Sequence, residues 1–577
     1  VTPAELSQAV QDAVRAAVEA GEMTVAVPET VTVERPKNRD HGDYATNVAL
    51  QLAKAAGKPP RQVAELVAAR LRELPGIAKI DIAGPGFMNV TLDAATQGEL
   101  ARTIVTEGAH YGHGDAFAGL KINLEFVSAN PTGPIHIGGV RWAAVGDSLA
   151  RILRACGADV TTEYYINDAG VQISKFGTSL QAAANGRPVP EDGYVGEYIN
   201  DIAAEIVKEN PGILDLSKGE SNAESKGEPN ADPNAEPNGD AEDEQLQKFR
   251  TEGLRLMVAE IQRSMAEFGA HFDVWFSEKS LHDSGAVEKA VDRLREQGHV
   301  FDKDGAVWLR TTDFGDDKDR VLIKADGDTT YFASDAAYYL NKRDRGNDVT
   351  VYMLGADHHG YVNRLKAIAA CAGDDPSHNI EVLIGQFVKM LKDGEEVRMS
   401  KRAGNIITID DVVDWIGVDA ARYSLARVPT DSTLTLDIDV LTSQSNENPV
   451  FYVQYAHARM SSVARNAAEL GIDKGAAEDF RPELLATEWE NQLLGRLGEF
   501  PGVLASAGEL REPHRVARYL EELARDYHRF YDNCRILPRG DEEVTDLTRA
   551  RLWLAEATRT VIANGLGLLG VSAPERM

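Results

Sequence analysis

Cysteine is scarce in this chain, with three in 577 residues. Cys156, Cys371 and Cys534 stand far apart and in no paired spacing, which argues against a disulfide framework or a thiolate metal centre and for reduced thiols in a cytoplasmic protein. Long apolar runs are missing too: no stretch reaches the ~18 apolar residues of a membrane span. The opening "VTPAELSQAVQDAVRAAVEAG" lacks the basic region and apolar core of a signal peptide, so a soluble, unexported protein with no membrane partner is expected. Basic charge is in deficit, with 61 Lys and Arg against 91 Asp and Glu and a formal net charge of -30. That balance disfavours nucleic acid, because phosphate contacts need local positive charge. A low-complexity acidic segment near 214–245 accounts for part of it, however, and a basic groove can coexist with a negative total.

What is present falls into three regions. Residues 1–110 read as a small α/β unit: "AELSQAVQDAVRAAVEAG" and "RQVAELVAARLREL" have helical spacing, while "VTVERP", "IAKIDIAG" and "GFMNVTLD" alternate as strands. Phe87, beside the "GPGF" turn, is expected in the core on composition, although a turn aromatic can also stack on a base. Residues 111–420 alternate strand and helix, the pattern of a parallel sheet. Residues 217–242, "SKGESNAESKGEPNADPNAEPNGDAE", are too polar to recover their ordering entropy by burial and predict a disordered insertion. Residues 421–577 are dominated by helical spacing, as in a bundle.

Two loops carry the chemistry. In "LEFVSANPTGPIHIGGVRWAAVGDSLARIL" an apolar strand ends in an irregular segment, and His136, Gly138 and Gly139 open a helix. Ligands of parallel sheets sit beyond the carboxyl ends of the strands, and a helix start offers N–H groups to an anion while glycine permits close approach. The loop is neither a G-x-x-x-x-G-K-[ST] phosphate loop nor a G-x-G-x-x-G fingerprint, and a lone histidine there serves equally well as a structural residue. Far downstream, "EEVRMSKRAGNIITIDD" gathers Met399, Ser400, Lys401 and Arg402 between glycines. That loop reads either as a solvated hairpin or as a phosphate-chain site.

Together, "HIGG" and "RMSK" resemble the two signatures of class I aminoacyl-tRNA synthetases. The flanks "EYYINDAG", "HFDVWFSE", "GADHHGY", "MSKRAGN" and "ENPVFYVQYAHARM" resemble the arginyl-tRNA synthetase family over essentially the whole chain outside 217–242. The resemblance implies a Rossmann-like parallel-sheet catalytic domain, an α/β N-terminal domain contacting the tRNA elbow and an α-helical anticodon-binding domain. It implies ATP with Mg2+, L-arginine and tRNA(Arg) as reactants, no DNA, a monomer, and activation that requires tRNA. His136, Ser400 and Lys401 become the catalytic candidates, with Gly138, Gly139 and Met399 also at ATP. Glu125, Asn130, Tyr331, Asp335, Asp357 and His358 become the arginine site, and Phe87, Asn89, Tyr455, Arg459 and Met577 the tRNA contacts.

Some of this follows from the residues themselves. A guanidinium presents five donors in a planar fork and calls for matching carboxylates, which lysine would satisfy in charge but not in geometry. Tyr331 and Asp335, four apart, share a face if their segment is helical, whereas Glu125 reads equally as an ion-paired strand residue and Tyr455 as bundle core. Gly139 stands where the usual signature has a second histidine, which removes an imidazole but leaves a backbone N–H for nucleotide. Alternatives are another class I adenylate-forming ligase, for which a cysteinyl type would want a cysteine cluster, and a non-catalytic tRNA-binding relative, which the presence of His136 and Lys401 disfavours.

Overall fold

The computed structural model describes residues 3–36, 41–216, 239–397 and 406–577. It divides into two compact units, Val1–Ala116 with Gln444–Met577, and Phe117–Ser443.

In the first unit, helices Pro3–Glu19, Val48–Ala56 and Pro60–Leu71 accompany an antiparallel sheet ordered Tyr44–Thr46, Phe87–Leu92, Ile77–Ala83. Met88, Val90 and Leu92 alternate inward to join Leu6, Val10 and Val67 in one core. Phe87 therefore points the other way and is exposed, against the expectation of a core residue. "VTVERP" forms only a single bridge, Glu34 to Ala45, rather than a strand; Pro36 at its end has no N–H to extend a ladder. Helix Ala94–Glu107 packs on Glu488–Gly498 and Asp546–Leu568, two of the C-terminal helices Pro449–Glu469, Glu488–Gly498, Phe500–Glu509, His514–Asn533 and Asp546–Leu568. The Tyr111 hydroxyl, a few residues on, donates to the Leu497 carbonyl at 2.9 Å.

The second unit holds a five-stranded sheet built of β1 (Lys121–Glu125), β2 (Asp159–Ile166), β3 (Val274–Ser277), β4 (Val349–Gly355) and β5 (Ile380–Gly385). Its order is β5-β4-β1-β2-β3 and every neighbouring pair is parallel. The chain winds outward from β1 to β3, then returns across the sheet to β4. The carboxyl ends of β1 and β4 thus flank a topological switch point, where such sheets form their ligand crevice. Two helices frame it: α1 (Ile137–Ala155) follows β1, and α2 (Tyr331–Asp344) precedes β4.

The second unit runs past residue 420, because helix Val418–Ala426 packs on α1 and the fully buried Arg422 guanidinium meets Asp147 of α1 at 2.5 Å. Of the insertion expected at 217–242, residues 217–238 lie outside the described residues; the last four belong to a helix, Gly239–Glu267. Among the described residues no helix is long and apolar enough to cross a membrane.

Candidate active site

Directly after β1 the chain takes two left-handed steps, Val127 at φ 69° and Ser128 at φ 43°. For a β-branched residue that is a costly conformation, on the order of 1–3 kcal/mol, of the kind that clusters at functional sites. Contacts to β2 hold it: Ser128 Oγ accepts the Tyr165 N–H at 3.0 Å and the Ala129 carbonyl accepts the Tyr164 hydroxyl at 2.9 Å. Asn130 follows, exposed.

His136 is the N-cap of α1, and its Nδ1 accepts the Gly138 N–H at 3.1 Å. That bond leaves the proton on Nε2, facing away from the helix. Desolvation lowers the imidazole pKa and Asp357 opposes the shift, so the ring is a neutral donor near pH 7. The glycine N–H groups are not available to nucleotide as expected. Gly138 is taken by the ring, and Gly139 donates to the His136 carbonyl at 2.8 Å, because the histidine caps the turn from which those groups would otherwise project. Gly139 is buried, and a Cβ there would point at Ile135 Cγ2, 2.8 Å away.

The second loop is tied to the first. Ile137 N–H donates to the Ile407 carbonyl at 2.9 Å and Ile409 N–H to the Ile135 carbonyl at 2.8 Å, an antiparallel bridge pairing His136 with Thr408. Thr408 in turn caps helix Ile409–Ile416 in a reciprocal box with Asp411. Met399, Ser400 and Lys401 lie outside the described residues; the chain that follows them is bridged to His136 at Thr408.

A cluster of carboxylates stands near the same switch point. Glu125 ends β1 and is buried. α2 begins at Tyr331, so Tyr331 and Asp335 share its first turns, Tyr331 exposed and Asp335 half-buried. Burial pushes Asp335 up to about 7; the Tyr361 hydroxyl and Arg364 oppose this, and Glu278 and Glu125 add to it. Glu278, also buried, is raised mainly by desolvation despite a hydrogen bond from Tyr165. Sequence reasoning missed Glu278 and Tyr361, although both lie in stretches quoted for the resemblance, "HFDVWFSE" and "GADHHGY". Asp357 and His358 sit on the exposed turn after β4, and Asp357 is felt at His136. Glu125, Asp335 and Glu278 thus gather at the switch point, with Lys342 paired to Glu125 and Arg364 acting on Asp335.

In the first unit, Phe87 is exposed but Asn89 is buried, so Asn89 offers less surface than its assignment to tRNA supposed. Tyr455 is exposed and stacked on Phe451, with ring centroids 5.8 Å apart, which removes the bundle-core alternative. Arg459 lies over the Tyr531 ring at 3.7 Å. Met577 is exposed.

A parallel sheet with a histidine-capped helix at its switch point, bridged to the segment Ile407–Ile409, is the arrangement of a class I aminoacyl-tRNA synthetase catalytic domain. The chain matches the catalytic domain described as tRNA synthetases class I (R) over residues 103–437, the arginyl tRNA synthetase N-terminal domain over 4–92 and the DALR anticodon-binding domain over 453–577. It is 60% identical over 580 residues to an arginine–tRNA ligase of Kineococcus radiotolerans and 58% identical over 577 residues to one of Frankia alni, in both cases across 100% of each chain. The fold is similar to that of the Thermus thermophilus arginyl-tRNA synthetase, with a TM-score of 0.74, 22% identity and 100% of both chains covered. The chain belongs to the arginyl-tRNA synthetase family.

Proposed function

We propose that the carboxylate cluster is the pocket for the side chain of L-arginine while the His136 end of α1 and the loop bearing Ser400 and Lys401 hold ATP. The arginine carboxylate, already a nucleophile, attacks the α-phosphate and pyrophosphate leaves. The arginyl group of the adenylate then passes to the terminal adenosine of tRNA(Arg), releasing AMP. No general base is needed in the first step, so positioning and electrostatics carry it. His136 donates from neutral Nε2–H to phosphate oxygen, and Lys401 meets the charge growing on pyrophosphate. Mg2+ would be carried mainly on the ATP phosphates, where it neutralises charge.

The observation that supports this reading is the cluster of Glu125, Asp335 and Glu278 near the switch point; Glu125 and Asp335 are proposed to take the guanidinium fork, with Asn130 and the exposed Tyr331 contacting the rest of the amino acid. Asp357 and His358 fit the nucleotide side better, given the proximity of Asp357 to His136. For tRNA, the exposed rings of Tyr455 and Phe87, with Arg459, Met577 and the less accessible Asn89, are the contacts proposed. The buried thiols of Cys156, Cys371 and Cys534 suit a reducing cytoplasm, and the working unit proposed is a monomer. The test is ATP–pyrophosphate exchange with each amino acid, with and without tRNA. Exchange that depends on arginine and tRNA is expected; exchange equally supported by another amino acid would overturn the assignment.

A further inference from the structure

Two glutamates lie side by side in the sheet, and they are treated differently. Parallel register sets Glu125 of β1 directly beside Glu163 of β2, with Tyr352 of β4 on the other side of Glu125. Like charges adjacent on one sheet face repel, and α2 answers with two cations three residues apart. Lys342 Nζ meets Glu125 Oε2 at 2.5 Å, and Arg345 meets Glu163 through both nitrogens at 2.7 and 2.9 Å. Glu163 is then saturated, because the Tyr338 hydroxyl and the Asn123 amide also donate to it, at 2.6 and 2.8 Å. Glu125 is not: Lys342 occupies Oε2 alone, and Oε1 has no hydrogen-bond partner among the described residues.

Lys342 has little freedom to do anything else. Its side chain is fully buried, and Nζ lies over the rings of Tyr352 and Tyr338, 3.9 and 4.4 Å from their centroids. The Tyr352 hydroxyl, beside Glu125 in the sheet, is itself buried without a partner among the described residues, an unspent donor and acceptor. A fully buried lysine is held by its partner and its aromatic walls, and it holds that partner in return.

We propose that Lys342 is a positioning residue for arginine: by tethering one oxygen of Glu125 within the Tyr338–Tyr352 cage, it presents the other oxygen to the substrate guanidinium and sets the pocket to accept one further cation. This rests on the arginine reading of the pocket. Lys342 does not touch substrate; it acts through Glu125. Without it, Glu125 would face Glu163 with no cation opposite and no fixed orientation, and arginine would have to order the carboxylate as it binds.

The test is arginine-dependent ATP–pyrophosphate exchange, at saturating tRNA, for the wild-type chain and Lys342→Met, Lys342→Arg, Glu125→Gln and the double variant Glu125→Gln/Lys342→Met. Lys342→Met should raise KM for arginine about tenfold or more while kcat and KM for ATP change by less than about threefold. Lys342→Arg, which can still tether Oε2, should recover most of the loss. In the Glu125→Gln background, removal of Lys342 should add almost nothing, a coupling that a merely structural lysine would not show. A parallel fall in kcat and both KM values, failure of Lys342→Arg to recover function, or additive losses in the double variant would overturn the proposal. The double variant replaces a buried ion pair by neutral groups and so keeps the question answerable should Lys342→Met alone fail to fold. Loss of arginine dependence in the wild-type chain, or a Glu125→Gln variant with normal KM for arginine, would instead overturn the reading of the pocket.

Discussion

Gly139 stands where the family signature has histidine, and the structure predicts that restoring a side chain there harms the protein. A Cβ at 139 would lie 2.8 Å from Ile135 Cγ2 and 3.5 Å from Val127 Cγ1. Comfortable carbon contacts are about 3.5–4.0 Å, so the alanine variant must move the Ile135 methyl by roughly 1 Å. Ile135 is only 1% exposed, and overpacking such a site costs about 1–3 kcal/mol. Replacing glycine in a helix returns only about 0.5–1 kcal/mol. The expected outcome for Gly139→Ala is therefore a net loss between about 0 and 2.5 kcal/mol, centred near 1, read as a lower unfolding midpoint. Activity should fall as well, because the Ile135 carbonyl and the Ile137 N–H form the bridge to Ile409 and Ile407 and His136 lies between them. A displacement near 1 Å at such a site costs on the order of a hundredfold in rate at worst. Gly139→His should be worse than Gly139→Ala in both thermal unfolding and ATP–pyrophosphate exchange. A Gly139→Ala variant as stable as wild type with intact exchange, or a gain in kcat for Gly139→His, would refute the packing argument.

Three further outcomes follow from other parts of the chain. Asp335 is raised to about 7, so between about pH 4 and 7 the folded state holds a proton the unfolded state lacks; this contribution to stability falls as pH rises through that window. Binding the guanidinium needs the carboxylate, so KM for arginine should rise about tenfold per pH unit below 7, with proton release measurable by calorimetry in buffers of different ionisation heat; a KM flat from pH 6 to 8 contradicts this. Arg422→Leu should destabilise the second unit by about 3 kcal/mol, because it strips a buried partner from Asp147, and chemical denaturation of that variant measures it. Deleting 218–237 should leave aminoacylation within about threefold of wild type, whereas extending the deletion into the helix from Gly239 should lower stability, since Gln245 and Phe249 are buried.

Local pattern made one half of the site legible. A histidine just before two glycines, where an apolar strand gives way to a helical pattern, marks a helix start at the crevice, and four-residue spacing on a helix places Tyr331 with Asp335. The other half depends on register, which no single segment states. Lys342 and Arg345 look in sequence like ordinary basic residues closing a helix. They become partners of Glu125 and Glu163 only once β1 and β2 are paired at those positions and α2 lies over them. The same gap explains Phe87: its composition suggested core, but strand alternation gave the inner face to Met88 and Val90. The same holds for Gly139, whose N–H the sequence leaves free for a ligand but the helix start bonds to the His136 carbonyl. What separates function from structure here is thus not the presence of charge but its completeness. Glu163 has a donor for each lone pair and holds the sheet to the helix, whereas Glu125, one strand away, has one oxygen tied down and the other without a hydrogen-bond partner among the described residues.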